Sequence, residues 1–137
     1  MVEQQFDVSG YEGKQDHIRS LEIPFKLETW ENEYADVEYV IEHELTEFTC
    51  ICPKTGMPDY ATFTLSYSPD KKCIELKSLK LYLQAYRDVG IFHEHVTNKI
   101  LEDFVEAVEP RWAELEGRFN NRGGIITTVR ARYDRNK

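Results

Sequence analysis

An apolar stripe with a four-residue repeat constrains this chain more than any other feature. Phe92, Val96, Ile100, Phe104 and Val108 fall on that spacing, and Leu101 and Val105 widen the stripe. The pattern predicts an amphipathic helix packed on a sheet through one face. Pro110 ends it, because proline lacks the N–H donor and clashes with the preceding turn. The neighbouring segments have a different period. Tyr60 to Tyr67 alternates, with Ala61, Phe63, Leu65 and Tyr67 on one face, as in a half-buried strand. Val37 to Leu45 reads as a strand with imperfect alternation. Ser68-Pro69-Asp70 signals a turn, so Cys73 to Leu76 reads as the return strand of a hairpin. Ser78 is a candidate cap for a short helix from Leu79 to Arg87, which Gly90 can end. Trp112 to Phe119 and Ile125 to Tyr133 read as two closing strands, joined by a hairpin turn over Asn120 to Gly124. Strands, two helices and strands again predict an α+β fold, with two helices on one face of an antiparallel sheet.

A chain of 137 residues suits one domain. Residues 1–20 are polar and poorly patterned and are expected to form an N-terminal arm, leaving residues 21–137 as the single domain. With 41% hydrophobic and 12% aromatic residues the chain can bury a real core. No apolar run is long enough to span a bilayer, and the first residues lack the basic-then-apolar order of a signal peptide. The expected location is the cytoplasm. A net charge of −8 argues against bulk binding to nucleic acid or to an anionic membrane. Lys71, Lys72, Lys77, Lys80 and Arg87 nevertheless form a basic stretch. Each alone is best read as a solvated side chain, but together they suit a phosphate-bearing ligand. The three cysteines, Cys50, Cys52 and Cys73, are an odd count that argues against a disulfide framework.

The chemistry is concentrated in Cys52-Pro53-Lys54-Thr55-Gly56-Met57-Pro58-Asp59. Two prolines and a glycine shape this loop, which can hold a sulfur and a carboxyl group on one small substrate. An ordinary cysteine is only about 3% thiolate at pH 7, so a nucleophilic Cys52 needs a lowered pKa. Lys54 or a helix N-terminus nearby can assist. Cys50 and Cys73 lie within strands and read as packing residues. Asp59 can donate a proton near neutrality only if burial or a negative neighbour favours its acid form; otherwise it is a common turn residue after Pro58. His93-Glu94-His95 opens the long helix, but residues two apart point to different helix faces, and no His-Glu-x-x-His is present. Glu94 suits an N–H pair on a purine-like ring, with Phe92 available to stack. The plainer readings are favourable charge at a helix start for Glu94 and core packing for Phe92.

Four blocks carry a resemblance to a known family. They are Glu47 to Asp59, Glu75-Leu76-Lys77-Ser78-Leu79-Lys80-Leu81-Tyr82, Phe92-His93-Glu94, and Arg122-Gly123-Gly124. The chain resembles the nitrile reductases (QueF) that convert 7-cyano-7-deazaguanine to 7-aminomethyl-7-deazaguanine on the way to queuosine in tRNA, in their short, single-module form. The resemblance implies Cys52 as the nucleophile that forms a covalent thioimide and Asp59 as the proton donor. It implies Ile74, Glu75, Leu76, Phe92, His93 and Glu94 around the substrate. It implies NADPH as co-substrate, with Lys77, Ser78, Lys80 and Arg122 as its contacts, and no metal. It also implies the tunnelling fold, whose subunits join edge to edge into a barrel, here a homo-oligomer of pentameric rings stacked as a decamer. No Gly-x-Gly-x-x-Gly is present, so a Rossmann dinucleotide site is not indicated, and a cleft shared by two subunits is expected instead.

Two other readings stay open on the residues alone. One is a zinc-dependent purine or pterin cyclohydrolase of the same fold, with ligands from Cys50, Cys52 or Cys73 and His93 or His95. The other is a non-catalytic scaffold that binds a purine-like ligand.

Overall fold

A computed structural model describes residues 18–137. The expected arm over residues 1–20 therefore lies outside the described residues, except for a turn at Ile18 to Ser20. The main sheet follows from the alternation that marks its strands. β2 (Ile41–Ile51), β3 (Pro58–Ser68), β5 (Trp112–Arg122) and β6 (Ile125–Asp134) form a four-stranded antiparallel sheet in the order β2-β3-β5-β6. Its inner face carries Ala61, Phe63, Leu65 and Tyr67 from β3 and Ala113, Leu115 and Phe119 from β5, all buried. Two helices cover this face. α1 (Leu76–Gln84) runs into a 3-10 turn over Ala85–Asp88, and α2 (His93–Val108) buries Val96, Ile100, Phe104 and Val108. The expected stripe is thus the buried face of α2. Phe104 packs edge-on against Tyr67 at 4.9 Å, and Phe48 packs against Phe63 at 4.7 Å.

Two backbone features let this packing close. A Cβ on Gly117 would lie 2.6 Å from the Phe63 ring and 3.0 Å from Thr97 Oγ1, so glycine lets β5 pass close beneath α2. In β2 the pairing passes from Leu45 opposite Phe63 to Phe48 opposite Ala61, one residue more than in β3. This bulge reverses the phase of the strand, so Phe48 and Cys50 turn inward instead of Glu47 and Thr49. The strand begins at Ile41, four residues after its expected start at Val37, and runs six residues beyond its expected end at Leu45, through the bulge.

Three local expectations are corrected. β4 (Lys72–Ile74) does not return along β3. It pairs antiparallel with β1 (Thr29–Glu31) in a separate two-stranded sheet. α1 starts at Leu76, and its N-cap is Glu75, whose carboxylate accepts the N–H groups of Lys77 at 2.9 Å and Ser78 at 2.7 Å. Ser78 lies inside the helix. Gly90 does not close a helix in the left-handed conformation; it bridges to Ile51, and the flanking Val89 and Ile91 bond that strand end. Among the described residues no helix is long and apolar enough to cross a membrane.

Candidate active site

The loop that follows β2 is closed by its own backbone. The Cys52 N–H donates to the Met57 carbonyl, and the Gly56 N–H donates to the Cys52 carbonyl, both at 2.9 Å. Gly56 holds φ 71°, a conformation that glycine adopts without a Cβ penalty. The loop lifts Cys52 off the strand end, while Pro58 and Asp59 begin β3. Asp59 shares the strand parity of Ala61 and Phe63, so its side chain turns inward and is only 2% exposed. A buried carboxyl group requires partners, and Asp59 has two. His93 Nε2 lies 3.1 Å from its Oδ2, and the Arg122 guanidinium bonds Oδ1. His93 is the first residue of α2, and its ring stacks on Phe119 at 3.8 Å with the planes 11° apart. Arg122 ends β5, immediately before a two-residue Gly123-Gly124 turn in which both residues have positive φ. That geometry is what a tight hairpin demands of its central residues.

Cys52, Asp59, Tyr60, His93, Arg122 and Thr127 face one cleft of about 630 Å³. Cys52 is partly exposed there, whereas Cys50 and Cys73 are fully buried. Burial raises the Cys52 thiol. That effect is outweighed by hydrogen bonds from the Thr55 side chain, from the Thr55 and Lys54 backbone and from Arg122, which together hold it below the ordinary cysteine value. Cys50, two residues earlier, is pushed up to about 12 by burial and then by the Asp59 charge. The two thiols thus differ in character: one faces the cleft with a lowered pKa, and the other is buried with a raised one.

The remaining sequence candidates are placed as follows. Glu94 is exposed beside His93, and Phe92 is half-buried as the N-cap residue of α2. Ile74 is buried, with its N–H bonded to Tyr67 Oη at 3.0 Å, and Leu76 is 53% exposed. Lys77 and Lys80 are exposed on α1, where Lys80 lines a groove beside Glu47 and Gln84. Ser78 is buried; its hydroxyl accepts the Glu28 N–H at 2.9 Å and donates to the Glu75 carbonyl at 2.7 Å. None of residues 74–80 lines the Cys52 cleft. The sequence alone assigns no role to Thr55 or Phe119. The signal for Thr55 is its hydroxyl within the loop; Phe119 becomes visible only once β5 is in register with β3.

One cysteine, Cys52, shares a cleft with His93, and the other two lie elsewhere. Cys50 faces the core, Cys73 lies 3.8 Å from Tyr39 Oη, and Cys52 faces the cleft. Among the described residues no group of three or more His, Cys, Asp or Glu is placed to hold a metal ion.

A family model described as QueF-like protein matches residues 58–137. A reductase from Nitrosomonas europaea, named NADPH-dependent 7-cyano-7-deazaguanine reductase, is 58% identical over 108 residues, or 79% of this chain and 78% of its own. The chain belongs to the QueF family. A QueF reductase of the same name from Halorhodospira halophila is 57% identical over 78% of this chain and 91% of its own. One from Chloroherpeton thalassium is 53% identical over 83% of this chain and 98% of its own. The apo crystal structure of an archaeosine synthase QueF-Like matches with a TM-score of 0.64 at 20% identity, covering 68% of this chain and 91% of that one. That likeness is one of fold.

Proposed function

We propose that this chain reduces the nitrile of 7-cyano-7-deazaguanine to the primary amine of 7-aminomethyl-7-deazaguanine, through a covalent thioimide on Cys52. The observation that carries this reading is a partly exposed Cys52 with a lowered thiol pKa, sharing a cleft with a buried Asp59. A nitrile is a poor hydride acceptor, and thiolate addition converts it into an activated C=N unit. In that step the Cys52 sulfur bonds the nitrile carbon, one π pair moves to nitrogen, and Asp59 supplies the proton. The balance closes when the thiol proton passes to Asp59 and then to nitrogen. NADPH supplies the hydride in each of two rounds. Reduction of the thioimide leaves a tetrahedral carbon, whose collapse breaks the C–S bond and frees Cys52. The resulting imine is reduced in the second round, so water must be kept out between the two.

His93 and Glu94 are assigned to the deazaguanine, with Phe92 beside them. Arg122, at the mouth of the cleft, and Lys77 and Lys80, on α1, are the candidate phosphate contacts. Ser78, which the resemblance also implies as a cofactor contact, is buried and supports α1 through Glu28 and Glu75. Ile74, Glu75 and Leu76 belong to the substrate site only if a neighbouring copy brings them to the cleft. We propose accordingly a homo-oligomer with the site at a subunit boundary; pentameric rings stacked as a decamer are what the family resemblance implies.

The test is an intact mass of the protein mixed with 7-cyano-7-deazaguanine in the absence of NADPH. The expected result is one adduct of the nitrile's mass, lost in Cys52→Ala, together with loss of nitrile-dependent NADPH oxidation. Turnover retained in Cys52→Ala would refute the covalent mechanism.

A further inference from the structure

Arg122 brings one cation to two acids. Its guanidinium bonds Asp59 Oδ1, lies 3.4 Å from Thr55 Oγ1 in the Cys52 loop, and lines the same cleft as Cys52, whose thiol its charge helps to hold low. A planar guanidinium presents several donors in a fixed fork and can hold such groups together, which an ammonium cannot do. We propose that Arg122 is a positioning residue that serves as counter-cation to Cys52 and Asp59 in turn, so that the thiol proton passes between them without changing the net charge of the site. The catalytic meaning of this proposal rests on the nitrile-reductase reading above.

The argument is electrostatic. Asp59 is almost fully buried, where an uncompensated charge is costly. One proton shared by Cys52 and Asp59, with one guanidinium, gives a neutral group in either arrangement. The proton sits on sulfur beside a carboxylate, or on the carboxyl group beside a thiolate. In passing from the first to the second, the S–H bond breaks, its electron pair stays on sulfur, and an O–H bond forms. Arg122 stays near the anion in both arrangements, because it pairs with Asp59 and shares the cleft with Cys52. A cation that reached Asp59 alone would favour the carboxylate and keep the sulfur protonated.

The other groups that face this pair act on one member each. His93, from α2, meets Asp59 Oδ2. Cys50, from β2, is buried and held as the thiol. Lys54 reaches Cys52 through its backbone N–H, and Tyr60, from β3, lines the cleft. Among the described residues Arg122 is the fixed cation that pairs with Asp59 and also favours the Cys52 thiolate.

The test uses iodoacetamide with neither nitrile nor nucleotide present. Its outcome is therefore independent of whether the chain reduces nitriles. The rate of Cys52 alkylation is followed by intact mass from about pH 5 to about pH 10, spanning the range in which thiols titrate. Cys50 and Cys73 are 0% exposed, so the first adduct reports Cys52, and Cys52→Ser gives the background. Arg122→Gln is expected to move the midpoint up by about one pH unit and to slow alkylation at pH 7 about tenfold. Arg122→Lys keeps the charge without the fork and is expected to fall between the two. An Arg122→Gln midpoint equal to that of wild type, in a variant with the wild-type circular dichroism, overturns the proposal and leaves Arg122 a phosphate contact. An Arg122→Lys midpoint equal to that of wild type also overturns it, because a point charge would then suffice; this comparison decides alone if the glutamine variant does not fold.

Discussion

Phe119 lies flat against His93, and His93 in turn meets the buried Asp59. The stack fixes the imidazole plane, and that plane sets where Nε2 points. Phe119 also packs edge-on against Phe63 at 5.9 Å, so the chemistry is tied to the core by aromatic contacts. Phe119→Leu keeps the site apolar but removes the flat surface. It is expected to cost about 1 to 2 kcal/mol of stability, in the manner of a core truncation. It is also expected to slow nitrile-dependent NADPH oxidation about tenfold, on the grounds that small displacements of positioned groups are costly. Iodoacetamide alkylation of Cys52, which Phe119 does not position, should proceed as in wild type. Wild-type turnover in a folded Phe119→Leu variant would show that the stack does not position His93. Residues at this scale differed in how legible they were. Cys52 and Asp59 share one short loop, but with the strand read from Tyr60 the inward turn of Asp59 shows only in the structure, where β3 begins at Pro58. The partnership of Asp59 with Arg122 spans 63 positions and depends on the register that sets Ala61 opposite Phe119, which no local pattern encodes.

α1 begins at a residue that helix-capping preference does not favour. Ser, Thr, Asp and Asn lead at that position, so Ser78 drew the expected start three residues too late. Glu75 takes the role because its longer side chain bends back to the N–H groups of Lys77 and Ser78, and those bonds hold its carboxyl below the usual glutamate range. The sign of the pH dependence follows. A carboxyl whose pKa is lower in the folded state stabilises that state above the ordinary glutamate pKa, and the contribution fades as pH falls through the lowered value. Glu75→Gln is therefore expected to melt below wild type at pH 7, with the gap narrower at about pH 3, where the carboxylate begins to take up its proton. Thermal melts at the two pH values provide the check, and a gap that does not narrow at low pH would assign the effect to packing. β4 was misread for a related reason. A three-residue strand has too little alternation to declare its partner, and the turn at Ser68-Pro69-Asp70 suggested the nearest one. The chain instead carries Lys72–Ile74 across to Thr29–Glu31, where the Asn32 N–H donates to the Lys71 carbonyl and the Glu75 N–H to that of Glu28, both at 2.9 Å. The α2 stripe and the β3 alternation were legible because burial on one face leaves a period that needs no partner to be seen.

Among the described residues the main sheet ends on two long strands, β6, paired with β5 alone, and β2, paired with β3 apart from the short bridge of Ile51 to Gly90. Such edges invite pairing with another chain unless they are protected. β6 opens with Ile125 and Ile126, 66% and 50% exposed, and successive strand residues point to opposite faces. The edge thus offers an apolar side chain on each side of the sheet at its first two positions. Ile125 also lines the Cys52 cleft, so whatever covers this end of β6 closes one wall of the site. The second copy proposed above would account for both facts and would give residues 74–76 a route to the cleft of a neighbour. Ile126→Lys places a charge on the exposed start of this edge, a substitution that opposes strand pairing without touching the core. Sedimentation velocity is expected to show the wild type as a multimer and the variant shifted toward smaller species. Nitrile-dependent turnover should fall most at low protein concentration and recover in part as concentration rises. Alkylation of Cys52 in the dissociated variant should retain its lowered midpoint, because the Thr55, Lys54 and Arg122 contacts that set it all lie within one chain. A wild type that sediments as a monomer while turning over the nitrile would place the whole site in one subunit and remove the reason to assign Ile74, Glu75 and Leu76 to it.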